Sequence, residues 1–503
     1  MKRIVIIGGG ITGLAAAHRI LELAAASGRA VDLTLLEASD RLGGIVQTRE
    51  RDGFLLELGP DAFISEKPEA LQLAKRLGLQ SRLIETNPDH RRSFIVRQGR
   101  LLPVPEGFHL LAPARFWPFV RSDIFSWTGK ARMALEMFLP RRSRNGRASD
   151  NPNDDNFHDE SDESLADFVR RRLGTEALER VAQPLVGGIY TADPERLSLR
   201  ATMPRFLEME RAHGSLIRAL RKQNRSGSPT VKEDASPAVS GARYSLFVSF
   251  DRGMQVLTDA LADRISPSAI RFNTTAESLD LQQKRETDAT NPSAATTWTI
   301  KTTDNKTIAA DAVCLALPAY ASARLLGKVD AQLAAELDGI PYASSATINL
   351  AYKRDDIPHP LDGFGFVVPF VEKRTLMACT FSSVKFAGRA PASHALLRAF
   401  VGGALQPEMF ELDDAEFVAR VRADLRELLG IERAPLFTEV TKWKRSMPQY
   451  HVGHLERVKR IEARLASLPG FALAGNAYSG LGLPDCIRRG EAAAEIFFTP
   501  EPI

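Results

Sequence analysis

Ile4-Val5-Ile6-Ile7-Gly8-Gly9-Gly10-Ile11-Thr12-Gly13 opens the chain with four apolar residues of strand type running straight into a glycine turn. An alanine-rich helical stretch begins at Leu14, and Val31-Asp32-Leu33-Thr34-Leu35-Leu36-Glu37 reads as a second strand closed by an acid. Strand, turn, helix and strand make one βαβ unit. Within it, the spacing Gly8-x-Gly10-x-x-Gly13 gives each glycine a task. The first permits the tight turn, the second lets backbone amides approach a pyrophosphate, and the third allows the helix to pack closely on the strand. The loop from Gly8 and Gly9 through Gly10, Ile11 and Thr12 to Gly13 is therefore the candidate phosphate cradle, with the positive end of the helix directed at the anion. Glu37 falls where a carboxylate accepts hydrogen bonds from adenosine ribose hydroxyls, and its charge disfavours NADP by repelling a 2′-phosphate.

The bulk properties set the frame around this unit. A chain of 503 residues exceeds what one hydrophobic core usually supports, so two or three domains are expected. With 66 basic against 62 acidic residues, the formal charge of +4 supplies no basic stripe for a phosphate backbone, and nucleic acid is not an expected partner. Cys314, Cys379 and Cys486 are too scattered for a disulfide framework or a four-ligand zinc site, so no metal is expected and a reducing cytoplasm is the expected compartment. The first apolar stretch ends in glycines without a cleavage-site pattern, and nowhere does an uninterrupted apolar run reach the roughly 18 residues needed to cross a bilayer.

Further along, Pro103 to Leu139 interleaves Phe108, Phe116, Trp117, Phe119, Phe125, Trp127 and Phe138 with Arg115, Arg121, Lys130 and Arg132, which predicts amphipathic helix. Residues 141 to 163 turn from arginine-rich to acidic and read as a disordered surface loop. Lys222 to Arg243 and Gln282 to Thr297 have loop composition and interrupt domains instead of separating them. Helices are predicted at Ser164 to Leu173, Met254 to Arg264, Asp413 to Leu429 and Glu491 to Phe498, and strands at Asp311 to Leu317, Ala346 to Tyr352 and Phe471 to Ala474. The fold class is α/β with α+β.

The continuation Glu37-Ala38-Ser39-Asp40-Arg41-Leu42-Gly43-Gly44 resembles the second glycine motif of the flavin-containing amine oxidoreductase superfamily, as does Gly53 to Ala62. That resemblance implies FAD, with Arg41, Gly43 and Gly44 along its phosphates and flavin. It puts Gly59, Pro60, Asp61 and Ala62 beside the isoalloxazine ring. It also implies an adenine contact through the backbone of Ala276, where the superfamily usually has Val, and a tryptophan, Trp443, near the flavin. The apolar strand ending in Gly475-Asn476, with the helix that follows, closes the site.

A narrower resemblance lies in Asn476-Ala477-Tyr478-Ser479-Gly480-Leu481-Gly482-Leu483-Pro484-Asp485-Cys486-Ile487, which is similar to the C-terminal signature of oxygen-dependent porphyrinogen oxidases of haem synthesis. Pro184 to Tyr190, Leu197 to Leu199, Gly363 to Pro369 and Arg389 to Pro391 extend the match along nearly the whole chain. Membership implies a Rossmann-type FAD-binding domain (1–85, 245–327 and 440–503), a discontinuous mixed-sheet substrate domain (86–102, 205–244 and 328–439) and a helical subdomain (103–204). It implies six-electron oxidation of a porphyrinogen with dioxygen as acceptor and hydrogen peroxide as product, the flavin carrying the chemistry and no side chain acting as general base. Leu481, Gly482 and Leu483 are cofactor candidates on the same ground. Gly188, Ile189, Val367 and Phe386 are implied around the macrocycle, and Lys67 at a propionate. His451 and His454 are read as turn or cap residues, and Cys486 as a buried structural thiol.

The same resemblance admits peripheral membrane contact through the aromatic, basic segment and a chelatase as partner for the product. Coproporphyrinogen III is preferred over protoporphyrinogen IX on the Gly187-Gly188-Ile189-Tyr190 segment with Lys67. An amine oxidase or carotenoid desaturase on the same scaffold explains the N-terminus but leaves Leu483 to Ile487 and Pro448-Gln449-Tyr450 without a purpose. A non-enzymatic flavin-binding assembly protein requires a missing site, and none is missing.

Overall fold

The computed structural model describes residues 1–109, 111–113, 115–141, 162–225, 247–283 and 296–499. They form two compact units, one from Met1–Glu85, Leu246–Tyr342 and Leu455–Ile503, the other from Thr86–Ser245 and Ala343–His454.

In the first unit the apolar run is strand β1 (Lys2–Ile7), followed by helix α1 (Ile11–Ser27) and strand β2 (Val31–Leu36). Three distant segments join them: β3 (Ile270–Arg271), β4 (Ala312–Leu315) and β5 (Phe471–Leu473). The sheet order is β3-β2-β1-β4-β5 and every pairing is parallel, with Ile6 opposite Leu35 on one side and Cys314 on the other. A parallel sheet is covered on both faces, which is why Ile4 to Ile7 and Ala312 to Leu315 are apolar at every position and buried. Helix α1 begins at Ile11, three residues before the alanine-rich stretch, and ends on Gly28 in the left-handed conformation.

Helix α2 (Leu483–Ile496) packs along α1. Contact is close because position 490 is glycine: a Cβ there would run into the carbonyl oxygen of Thr12 and stand 3.2 Å from the Ala15 methyl. The predicted helix from Glu491 to Phe498 is the end of this longer element. Pro484 occupies the first turn, where its missing N–H has no intrahelical partner to lose. The stretch Gln282 to Thr297, predicted as loop, starts and finishes in paired strand, with Gln282 opposite Thr297, and its residues 284–295 lie outside the described residues.

The second unit carries a seven-stranded mixed sheet in the order Phe437–Pro448, Tyr342–Lys353, His394–Gly402, Ala378–Phe381, Gly365–Val367, Phe94–Arg97, Arg100–Pro103. The helix Asp414–Leu429, capped by Asp413, buries Phe417, Val421, Leu425 and Leu428 on that sheet, a spacing that keeps one helical face inward. Beside it lies a helical part built from Leu165–Arg172, Gln183–Tyr190, Pro204–His213 and Leu216–Arg225. Its centre is a buried ion pair, Glu136 with Arg172, both 0% exposed. Glu136 also accepts from the Ser215 hydroxyl at 2.5 Å and the Leu216 N–H at 2.8 Å, so it caps the helix that starts at Leu216. Arg172 donates onward to the carbonyls of Gly214, at 2.7 Å, and Pro140, at 3.1 Å.

Two expectations are corrected here. Among the described residues between Pro103 and Leu139, only Phe116–Arg121, Trp127–Ala134 and the short turn Leu135–Phe138 are helical. Phe108–His109 instead pairs antiparallel with Ala112–Pro113, because Pro105 and Pro113 restrict the residues before them and supply no N–H for a helix. Lys222 to Arg225, predicted as loop, continues the helix from Leu216. The rest of that loop, 226–243, and residues 142–161 of the acidic one lie outside the described residues.

Candidate cofactor and substrate sites

The glycine turn leaves β1 with Gly8 at φ 109°, its N–H donating to the Leu36 carbonyl at 2.8 Å. A Cβ at Gly8 would stand 2.5 Å from the Ala316 carbonyl oxygen, and one at Gly13 would enter the carbonyl oxygen of Gly8. Those two glycines are required by packing. Gly10 differs: a Cβ there meets only the Cα of Gly44, at 4.0 Å. Helix α1 has no side-chain cap and no acid in its first turn, so the amides of Ile11, Thr12 and Gly13 and the positive helix end face a trough bounded by glycine backbone. This is a fitting place for a pyrophosphate.

Glu37 follows β2 and is anchored on both oxygens. Its Oε2 accepts the Gly9 N–H at 2.8 Å, and its Oε1 accepts the Ser39 N–H at 2.8 Å and hydroxyl at 2.7 Å. The acid thus ties the phosphate loop to the second strand, with lone pairs left over for ribose hydroxyls. Ser39 was not singled out in sequence; a hydroxyl two residues after an acid in a loop is its only signal. Ala276 begins a strand at a register shift against Thr302, and the preceding Thr274 N–H donates to the Glu37 carbonyl at 2.9 Å, so the predicted adenine contact lies beside the predicted ribose contact.

The second glycine motif folds back on the first. Gly43 donates to the Gly9 carbonyl at 2.9 Å and bridges to Gly10, while Gly43 and Gly44 take φ of 97° and 58°. Arg41 turns its guanidinium onto its own loop, donating to the carbonyls of Leu42, at 3.0 Å, and Gly44. Gly59 is held against this loop, since a Cβ there would enter the Ile45 carbonyl oxygen, and the Asp61 carbonyl accepts from the Ser249 hydroxyl at 2.8 Å. Pro60 and Ala62 complete this short extended stretch.

From the other end, Gly475, at φ 141°, and Asn476 leave β5 beside β4, and Leu481 and Gly482 lead into α2 at Leu483. Lys67 lies in this unit with its ammonium 2.7 and 2.6 Å from the two carboxylate oxygens of Asp485. Asp485 carried no sequence signal for that role, because its partner is 418 residues away. Burial pushes the Cys486 thiol up to about 12, which keeps it neutral and unreactive.

The remaining candidates belong to the second unit. Trp443 is half-buried in the strand Phe437–Pro448. Gly188 sits on the helix Gln183–Tyr190 with room for a Cβ 3.9 Å from a Val367 methyl, and Ile189 is 52% exposed, so these three present an accessible apolar surface. The same helix lines an apolar pocket with Gln183, Pro184 and Gly187, opposite Val368 and Phe370. Phe386 is 1% exposed, with the Lys385 ammonium and Arg389 guanidinium 5.1 and 5.5 Å from its ring centre. Tyr450 stacks on His454 at 4.0 Å, and burial, with Arg196 nearby, pushes His451 down to about 4.

A parallel sheet with a glycine cradle at the end of its first strand, an acid after its second and a second glycine loop laid on the cradle defines a dinucleotide-binding protein. The chain belongs to the family of flavin-containing amine oxidoreductases, whose model matches residues 11–496. It is a flavoprotein, and FAD is its cofactor. It is 33% identical to the coproporphyrinogen III oxidase of Bacillus subtilis over 98% of this chain and 97% of that one. Identity to the coproporphyrinogen III oxidase of Propionibacterium freudenreichii is 34%, covering 98% and 90%. A crystal structure from Exiguobacterium sp. 255-15, assigned as a protoporphyrinogen oxidase, superposes with a TM-score of 0.81 at 31% identity, covering 98% of each chain.

Proposed function

We propose that this chain is an FAD-dependent porphyrinogen oxidase of haem biosynthesis, and that coproporphyrinogen III is its substrate. The observation that carries the cofactor half is the trough over Gly10, bounded by Gly44 and facing an uncapped α1, with Glu37 at its ribose end. The substrate half rests on near full-length likeness to two coproporphyrinogen III oxidases, at 33% and 34% identity. Bound FAD supplies a two-electron acceptor, so one porphyrinogen and three dioxygen give one porphyrin and three hydrogen peroxide. The protein's own residues bind and orient. The cradle amides hold the pyrophosphate, Glu37 and Ser39 hold the ribose, and Ile189 and Val367 offer apolar surface to the macrocycle. No described side chain is assigned as acid or base. A chelatase is the partner class that consumes the product.

Mixed anaerobically with coproporphyrinogen III, the yellow protein is expected to bleach and, once air is admitted, to develop porphyrin fluorescence with peroxide. Bleaching by protoporphyrinogen IX alone overturns the substrate, and bleaching by neither overturns the function.

The protein is assigned to the cytoplasm with peripheral membrane contact. Among the described residues no helix is long and apolar enough to cross a membrane. Contact is supported by the second unit's exposed aromatics, Phe116, Trp117 at 65%, Trp127 at 73% and Phe138 at 74%, in a segment that also carries Arg115 and Arg121. Flotation with anionic vesicles is expected to carry the protein upward with the lipid; protein left wholly in the soluble fraction rules this out.

A further inference from the structure

We propose that Lys67 is a positioning residue of the flavin site: its ammonium clasps Asp485, and the pair fixes the Gly480–Leu483 turn and the charge beside it. The proposal rests on the FAD reading above. Lys67 reaches both oxygens of Asp485, at 2.7 and 2.6 Å, which uses two of its three donors. Asp485 is buried in the first turn of α2 and also accepts the Gly482 N–H at 3.3 Å, so it holds the turn that leads into the helix. Gly480 is in the left-handed region at φ 81°, and the space where its Cβ would stand is filled by the Asp485 carboxylate. The turn cannot shift without moving that group.

The clasp joins two cofactor segments that are far apart in the chain. Lys67 follows Gly59–Ala62, and Asp485 follows Gly482-Leu483. Turning Lys67 wholly away from Asp485 would leave a buried carboxylate with Arg488, 3.5 Å away, as its counter-ion among the described residues. Lys67 is 47% exposed, so water screens the pair and its effect is moderate. The sign of that effect is definite. An uncompensated carboxylate opposes the negative charge a flavin gains on reduction, and an uncompensated ammonium favours it.

The test compares K67M, K67R and D485N in the holoenzyme and in FAD titrations of the apoprotein. K67M is expected to weaken FAD binding roughly five- to tenfold, lower the flavin midpoint potential and leave the porphyrinogen KM unchanged. D485N is expected to raise the potential, and K67R to restore both affinity and potential. A K67M protein with wild-type FAD affinity and potential but a raised KM overturns the clasp and makes Lys67 a substrate anchor. If circular dichroism shows K67M unfolded, D485N and K67R decide: an unshifted potential in D485N, or wild-type behaviour absent in K67R, overturns it. Failure of the wild-type protein to bind FAD refutes the cofactor reading instead, and failure to oxidise porphyrinogen refutes the substrate alone.

Discussion

Replacing Gly10 by valine is expected to yield folded protein that purifies without flavin, with FAD affinity and turnover reduced at least about a hundredfold. Gly10 has φ −71° and ψ 177°, a conformation open to any residue, so the backbone is not strained by the change. The Cβ itself displaces no protein atom, since its nearest neighbour is the Gly44 Cα at 4.0 Å. What the side chain fills is the trough itself. Charge-assisted hydrogen bonds to a phosphate contribute about 1.5–3 kcal/mol each, and losing two of them accounts for the hundredfold figure. Flavin absorbance per polypeptide and a thermal unfolding curve check both halves. A G10V protein that retains flavin would place the pyrophosphate elsewhere. The same substitution at Gly13 is different in kind, because its Cβ would enter the Gly8 carbonyl and loosen α1 from β1.

Removing the Glu136 carboxylate is expected to be the most damaging single change to stability, about 3–5 kcal/mol for Glu136→Ala. The loss has three parts. Arg172 is left buried without its counter-ion, the Ser215 hydroxyl loses its acceptor, and the helix from Leu216 loses its cap. Glu210 lies 3.5 Å from the same guanidinium and compensates only in part. Because replacing both partners by apolar groups avoids the unpaired charge, Glu136→Leu combined with Arg172→Met should cost less than Glu136→Ala alone. Urea unfolding followed by fluorescence measures both, and a single variant within about 1 kcal/mol of wild type would contradict the analysis.

Local physics was legible in the sequence where neighbours in the chain decide the structure. The run from Ile4 to Glu37 announces strand, turn, helix and strand because apolar period, glycine spacing and terminal acid agree. Ser164 and Asp413 sit as N-caps where the predicted helices begin. Long-range assembly was not legible. Nothing local says that Ile270–Arg271, one of the shortest strands, adds to the edge of β2, or that Lys67 meets Asp485. An aromatic in a matching motif, such as the buried Phe386, is equally at home in a core or at a ligand, and sequence alone does not separate the two.

The strand order has a consequence for how the protein is made. β1 and the cradle leave the ribosome first, but β5, which flanks β4, and α2, which packs on α1, follow more than four hundred residues after β1. At about 5–20 residues per second that gap lasts on the order of 20 to 90 seconds. Through that interval the α1 face around Ala15 and Ala16 has no native cover in the nascent chain, and the edge of β4, made later, waits about 8 to 30 seconds for β5. The helical cover of α1 is thus complete only after α2 has been made.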